Sequence, residues 1–582
     1  MKLGYDYPRP QFVRKNWQSL NGKWEFEFDD TNKGIEEKWY RKERLSSRII
    51  VPFGFQTKLS GINDKNFHDH VWYARDFSIP SNWKGKEIII HFGAVDYETR
   101  IWINGKEIGD HSGGHTSFSF NITKYLKENE NRIVLWVEDT QDTDQPRGKQ
   151  YSNLKPEGCF YDRTTGIWQT VWLEPVPASR IENIKFTPNI DSKEIEIETI
   201  ISGDLPDEFI SLEISFKGKK ISRAVVRSDH GICKTTVKIK NMKLWSPEEP
   251  NLYDVDVVLV NGKKKLDEVN SYFGMRKISV KGNKILLNNK PYYLKLILDQ
   301  GYWPDSLITP PSGEALKNDV VFSKMFGFNG CRKHQKIEDQ RFLYWADKFG
   351  LLVWGEMANA WTFSARAEKM FLKEWPEVIK RDYNHPCIIT WVPFNESWGI
   401  KEVFQDVRQQ EFVKKVVLIT KEMDKTRLVI DNDGWDHIET DLVTIHDYSA
   451  ASADFEKNYA QFKKDKKTFP VPHNKQTYAQ GYSYDGKPIL FTEYGGIAFK
   501  MPDREYGKED RGYHDTETEE NKLVERFRDT TQAIMKMDFC CGFAYTQLTD
   551  VQQEINGLLT FDRKTKVDPK KIKKILDTKE DK

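Results

Sequence analysis

The sequence predicts three stacked units: a jelly-roll β-sandwich, an immunoglobulin-like β-sandwich and a (β/α)8 barrel. Two observations carry this. Short runs with a period of two fill roughly the first 275 of 582 residues, and beyond residue 280 eight apolar runs alternate with amphipathic helical stretches. A third observation agrees, since 582 residues exceed what one hydrophobic core serves.

The first unit, residues 1–177, contains WEFEF, EIIIHF, TRIWING and RIVLWVE, separated by the turn clusters SNWKGK, NGKEIGDHSGG and KENEN. Asn-Gly within ING, followed by KEIG, predicts a tight hairpin. The prolines of LEPVPASR mark the boundary. In 178–276 the runs EIEIETI, FISLEISF, TTVKIK and LYDVDVVLV suit a seven-stranded immunoglobulin-like sandwich.

From 277 to 582 the strand candidates are YYLKLILDQ, FNGCRKH, LLVWGEM, IITWVPFNE, RLVIDND, LVTIHDY, ILFTEYGG and GFAYTQLTD. Helical patterns such as DQRFLYWADKFG and NKLVERFRDTTQAIMKM lie between most of them, and the helix after the fifth strand is weak. Eight such units are the arithmetic of the barrel. An open doubly wound sheet is the alternative, but no Gly-rich phosphate turn accompanies the strands.

Charge narrows the function. The chain holds 89 basic and 88 acidic residues, which gives no footprint for nucleic acid or an anionic membrane. Aromatics reach 13%, which favours thick sandwich cores over sugar-stacking platforms. Six scattered cysteines with no C-x-x-C pair read as buried free thiols rather than a disulfide framework. MKLGYDYPRPQF lacks an apolar leader core and no apolar run approaches a spanning length, so the reading is a soluble, cytoplasmic protein. The oligomeric state stays open, a homo-oligomer included.

In a barrel the strands' C-terminal ends converge on one mouth. Those ends carry Asp299, Arg332 and His334, Glu356, Asn395 and Glu396, Asp431 and Asp433, His446 to Tyr448, Glu493, and Gln547 with Asp550. Strands four and seven each bury a long apolar run and release one glutamate on opposite sides of the mouth. Facing carboxylates suit glycosidic cleavage, one protonating the leaving oxygen while the other attacks or activates water. The apolar run before Glu396 predicts a dry setting that holds its pKa up. A metal-assisted hydrolase using Asp431, Asp433, His446 and Asp447 is the competing reading, although DND and HDY match no tight metal fingerprint.

Several stretches together resemble glycoside hydrolase family 2, the β-galactosidases and β-glucuronidases, over nearly the whole chain. These are WYARDFSIP, the segment from VDYETRIWINGKEIGDHSGG to FNITKYL, and TTGIWQTVWLE in the first unit, with LWSPEEPNLYDV and YFGMRKI in the second. FNGCRKHQKIEDQRFLYWADKFGLLVWGEM, NE at 395–396 and EYG at 493–495 carry it through the barrel. The resemblance implies a retaining exo-β-glycosidase with Glu493 as nucleophile and Glu396 as general acid/base. It further implies that Asn395 bonds the sugar 2-hydroxyl and that Arg332 lies beneath the nucleophile, with His446 or Tyr448 donating to Glu493. His334, Asp447, Trp398, Asp299, Tyr545 and Gln547 complete the expected substrate-binding set. The expected partner is a carbohydrate, with no cofactor and no metal.

Departures shape the expectation. RKHQK replaces the family's more usual Ser-His-Tyr-Pro-like continuation, which puts the part played by His334 in doubt. LDQGYWPDS stands where the large β-galactosidases have a histidine- and acid-rich segment, so their magnesium and sodium sites are not carried over. Tyr545 stands where many members present a sugar-stacking Trp, and Trp354, Trp391 and Trp398 are the substitutes, the first two better read as core. The Asn-x-Lys pair of β-glucuronidases is replaced by Asn556, Gly557 and Leu558, so a glucuronide carboxylate lacks its cation. The expectation is therefore β-galactosidase-type activity. β-Glucosidase, β-xylosidase, β-galactofuranosidase or α-L-arabinosidase specificity, less favourably β-glucuronidase, or a non-catalytic carbohydrate-binding protein, are the alternatives. SGGHTSF (112–118) is a candidate pocket loop, with a plain hairpin as the simpler reading.

Overall fold

The computed structural model describes residues 7–203, 205–467, 469 and 475–578. The start of MKLGYDYPRPQF, Thr468 and the last four residues of the barrel segment lie outside them. The first unit packs a six-stranded antiparallel sheet, in which 70–78 and 130–138 are central, on a four-stranded one containing 87–92 and 171–176. Inward residues such as Trp24, Tyr73, Ile90, Leu135 and Leu173 form its core. The predicted hairpin joins Glu98–Ile103 to Lys106–Ser112 through Asn104 and Gly105, both left-handed at φ 52° and 74°. Seven strands make the second unit, three in one sheet and four in the other, and alternate residues of Glu194–Ser202 and Tyr253–Asn261 are buried.

All eight barrel strands form in one parallel sheet. They are β1 (Leu294–Asp299), β2 (Gly330–Lys333), β3 (Leu352–Glu356), β4 (Ile388–Val392), β5 (Leu428–Val429), β6 (Val443–His446), β7 (Ile489–Gly495) and β8 (Cys540–Thr546). The ladder runs β5-β4-β3-β2-β1-β8-β7-β6, which sets β4 and β7 on opposite sides. Between β5 and β6 no ladder closes the ring among the described residues. Side chains cross that seam instead: Gly434 N–H donates to Thr444 Oγ1 at 2.8 Å, and His437 Nε2 accepts from Thr444 N at 2.9 Å.

Helices α1 (Gly313–Met325), α2 (Gln340–Phe349), α3 (Ala365–Asp382) and α4 (Val407–Met423) follow the first four strands. The side chains of Ser312, Asp339, Ser364 and Asp406 cap their first turns. After β5 there is no helix, so the weak pattern there forms none. Next come α5 (Ser452–Asp465), α6 (Glu520–Met535) and α7 (Pro569–Leu576). Among the described residues no helix is long and apolar enough to cross a membrane. The cysteines there are free, and Cys159 is half-buried rather than buried.

SGGHTSF does not reach the mouth. It docks on α3, where His115 N donates to Glu374 Oε1 at 2.6 Å and Thr116 Oγ1 to Glu377 Oε2 at 2.7 Å. Burial raises the Glu374 carboxyl to about 8. A carboxyl raised on folding contributes stability that is fully present below its unfolded value and lost as pH rises through about 8. Glu374→Gln keeps the acceptor without the charge. It is expected to stabilise the protein at pH 9 by on the order of 3 kcal/mol and to change little at pH 5. Calorimetric Tm at both pH values checks this, and an equal shift at both would refute it.

Candidate active site

Arg332 is the floor of the site. Its Nε lies 2.9 Å from Glu356 Oε2 and 2.8 Å from Asp433 Oδ2, while Nη1 donates to Glu493 Oε1 at 2.8 Å. Nη2 donates to Asn395 Oδ1 and, at 2.9 Å, to His334 Nδ1. One fully buried guanidinium thus ties β2 to β3, β4, β5 and β7. Such a charge is tolerated only because carboxylates surround it.

Glu493 leaves β7 into this cradle. Tyr448 Oη donates to its Oε2 at 2.6 Å and reaches Thr546 Oγ1 at 3.3 Å. Burial acts to raise the Glu493 pKa, but His446 and Arg332 outweigh it and hold the carboxyl well below the usual range. Tyr513 stacks on Tyr448 at 3.8 Å, and His514 bonds the Tyr448 carbonyl, fixing the donor from behind.

Glu396 follows β4 in an unusual backbone. Glu396 and Ser397 both adopt left-handed φ, 52° and 58°, a conformation that costs a non-glycine residue about 1 kcal/mol or more. Three hydrogen bonds hold it: Glu396 N to Asp433 O at 2.9 Å, Ser397 N to Asn432 Oδ1 at 2.9 Å and Trp398 N to Asn395 O at 2.9 Å. The turn lifts the carboxylate out of the apolar run, leaving its side chain 25% exposed, so the dry setting expected for it is not observed. His446 Nδ1 lies 2.8 Å from Glu396 Oε1 and 3.6 Å from Glu493 Oε2. Burial opposes the charge on His446, but Glu493, Asp433 and Glu396 raise it to about 10. At neutral pH it is an imidazolium that donates toward both acids.

The other expected residues divide. Asn395 keeps a buried, unpartnered Nδ2, while His334, 2% exposed, has Nε2 4.0 Å from Glu493 Oε1. For His334, burial, Lys149 and Arg332 all lower the pKa, so it is neutral. Trp398 lies half-buried at the rim beside Phe160 and Trp361, whereas Trp354 and Trp391 are core. Gln547 donates to Asn556 Oδ1 at 2.6 Å.

Three residues are placed elsewhere. Asp299 is spent on Lys333 at 2.9 Å and the Gly301 amide at 2.9 Å. Asp447 turns outward to accept from Tyr459 of α5 at 2.9 Å. Tyr545 packs on Phe527 of α6, ring centroids 4.8 Å apart, because β8 alternates and Thr546 takes the inward position.

Nor do the acids of the metal reading converge. Asp431 accepts from His437 at 2.7 Å, Asp433 pairs with Arg332, and Asp447 faces α5. At the mouth the atoms that do cluster, within 4.8 Å of one another, belong to Glu396, His446 and Glu493; a second such group, Asp347, His385 and Cys387, is buried. Sequence reasoning passed over Lys149, Cys159 and Phe160, which the first sandwich brings to the same mouth. Lys149 Nζ sits 4.9 Å from the ring centre of Trp398.

Sandwich, sandwich and barrel, with two acids across the barrel's mouth, define a glycosidase-like scaffold. Family models described as "Glycosyl hydrolases family 2, sugar binding domain", "Glycosyl hydrolases family 2" and "Glycosyl hydrolases family 2, TIM barrel domain" match residues 17–177, 179–276 and 278–578. The chain belongs to glycosyl hydrolases family 2. It is 27% identical over 424 residues to a β-galactosidase of Thermoanaerobacter pseudethanolicus, covering 70% of this chain and 53% of that one. It is 26% identical over 433 residues to a β-glucuronidase of Paenibacillus borealis, covering 69% and 70%. The chain thus spans about half the length of the β-galactosidases it matches. The structure of a Lactobacillus rhamnosus β-glucuronidase superposes with a TM-score of 0.79 at 21% identity, covering 98% of each chain, which shows the shared fold.

Proposed function

We propose that the protein is a retaining exo-β-glycosidase of β-galactosidase type, acting on terminal sugars of small glycosides. The observation that carries the reading is the spacing of the two acids. Glu396 and Glu493 each present an oxygen within 4.8 Å of the other, a closest approach that favours the ~5–5.5 Å between carboxyl groups of retaining enzymes over the wider gap that admits a water for inversion.

Glu493, ionised and aimed by Arg332 and Tyr448, attacks the anomeric carbon as Glu396 gives its proton to the departing oxygen. A glycosyl ester on Glu493 results. Glu396, now a carboxylate, takes a proton from water as that water attacks the same carbon and frees Glu493. His446, placed between the acids, offers positive charge to whichever carboxylate is ionised. Asn395 Nδ2 donates to the sugar 2-hydroxyl, a bond that strengthens as charge develops in the oxocarbenium-like state. A neutral sugar suits the site: Lys566, the buried lysine near Asn556, is held by Asp550 at 2.8 Å.

Proton NMR of 4-nitrophenyl β-galactoside hydrolysis tests the stereochemistry. The β-anomer is expected first, and an initial α-anomer would overturn retention. Parallel glucoside, xyloside, galactofuranoside, α-L-arabinoside and glucuronide substrates rank the sugar, the galactoside being expected to lead.

A further inference from the structure

Lys149 is a buried lysine, 5% exposed, on a first-sandwich segment about 200 residues before the barrel mouth it enters. Its backbone is clamped to the barrel. Gly148, left-handed at φ 59°, donates its amide to Asn359 O at 3.0 Å, and a Cβ there would come within 2.2 Å of Gln335 O. Asn359 in turn accepts from Asn395 N at 3.1 Å and donates to Pro393 O at 2.7 Å. The lysine-bearing turn is therefore registered to the strand end that carries Glu396. Tyr161 N donates to Lys149 O at 2.8 Å, bringing Cys159 and Phe160 alongside.

The side chain passes over Trp398, which pins it by a cation–π contact. It hydrogen-bonds Cys159, and its charge is felt by Glu554, Glu493 and Glu396, with none of which it makes a direct ion pair among the described residues. A buried ammonium held by a weak thiol acceptor, and paired with none of the three acids, keeps N–H groups for a further acceptor.

We propose that Lys149 is a specificity-determining substrate contact supplied by the first sandwich, donating to a hydroxyl oxygen of a neutral sugar bound at the Glu396–Glu493 site. The surrounding charge selects that chemistry. A sugar carboxylate would enter beside Glu396, Glu493 and Glu554, whereas a hydroxyl accepts from Lys149 without adding to their charge. The inference rests on the glycosidase reading and deepens it.

The test compares wild type, Lys149→Met and Lys149→Gln on 4-nitrophenyl β-galactoside, its 3-, 4- and 6-deoxy analogues, and the glucuronide. Lys149→Met keeps the aliphatic stem over Trp398 and removes the donor. It is expected to lower kcat/KM on the parent about 10- to 100-fold, the scale of a hydrogen bond to a charged group. On one deoxy analogue, the one lacking the bonded oxygen, the loss should shrink to within about 3-fold. Lys149→Gln should show the same selective pattern. Equal losses on every analogue, a loss confined to the glucuronide, or no loss would each overturn the contact. A wild type inert on the whole panel overturns the β-galactosidase-type reading itself and this inference with it.

Discussion

Glu493→Gln is expected to lower kcat/KM by about 10⁴-fold or more on every glycoside, whatever the leaving group. The amide keeps a hydrogen bond to Tyr448 but has no nucleophilic oxygen, so the covalent step is lost and not merely slowed. Glu396→Gln is expected to behave differently. A 2,4-dinitrophenolate leaves without a proton, so formation of the glycosyl ester should fall only modestly on that substrate. On an alkyl glycoside, which needs its leaving oxygen protonated, the loss should reach about 10³-fold. Steady-state and pre-steady-state rates on both substrates separate the roles. A burst of dinitrophenolate from Glu396→Gln marks ester formation outrunning its hydrolysis. If the two variants lose the same factor on both substrates, the division of labour between the acids is wrong.

What the sequence shows of this site follows from local pattern, and what it hides follows from distance and parity. Glu396 and Glu493 stand out because each ends an apolar run, and a strand buried on both faces has no other reason to release an acid there. Arg332 is expected beneath the nucleophile on resemblance, and in the structure it lies against Glu493, Glu356 and Asp433. Tyr545 goes astray by one residue, since a one-step change of register on β8 exchanges the barrel interior for the helix layer. Asp299 and Asp447 sit at the right strand ends, but Lys333 and Tyr459 take their carboxylates. A strand end names which residues emerge and not where their side chains turn. The left-handed turn at Glu396 and Ser397 has no signature in NES, because two of the three bonds that hold it come from Asp433 and Asn432 on another strand. Lys149 is the furthest from view: its only local mark is the glycine before it, and Trp398, over which it passes, lies in a different unit.

Arg332→Met should be the most damaging substitution outside the two acids. Methionine fills much of the space but leaves Glu356, Asp433 and Glu493 buried around an uncharged stem. Breaking a buried pair by removing one partner costs about 3–5 kcal/mol. The pH dependence identifies the cause. In the native protein burial acts to raise Asp433 and Glu493, but Arg332, with His446, holds both well below the ordinary range. Carboxyls depressed on folding contribute stability that is present above their unfolded values near 3.8 and 4.5 and lost as pH falls through the folded ones. Without Arg332 that depression shrinks, so the variant should be weakest relative to wild type at neutral pH and recover part of the difference near pH 4. Burial already lifts Glu356 to about 7 against the pull of Arg332. Losing the guanidinium therefore leaves this acid protonated at neutral pH and spares the site one of three bare charges. Activity should carry the same signature, with the acid limb of kcat/KM moving to higher pH as Glu493 becomes easier to protonate. Calorimetric Tm and kcat/KM measured from pH 4 to pH 8 decide the matter. A destabilisation that does not vary with pH would show that Arg332 acts through packing, and that the charge of Glu493 is set by His446 and not from below.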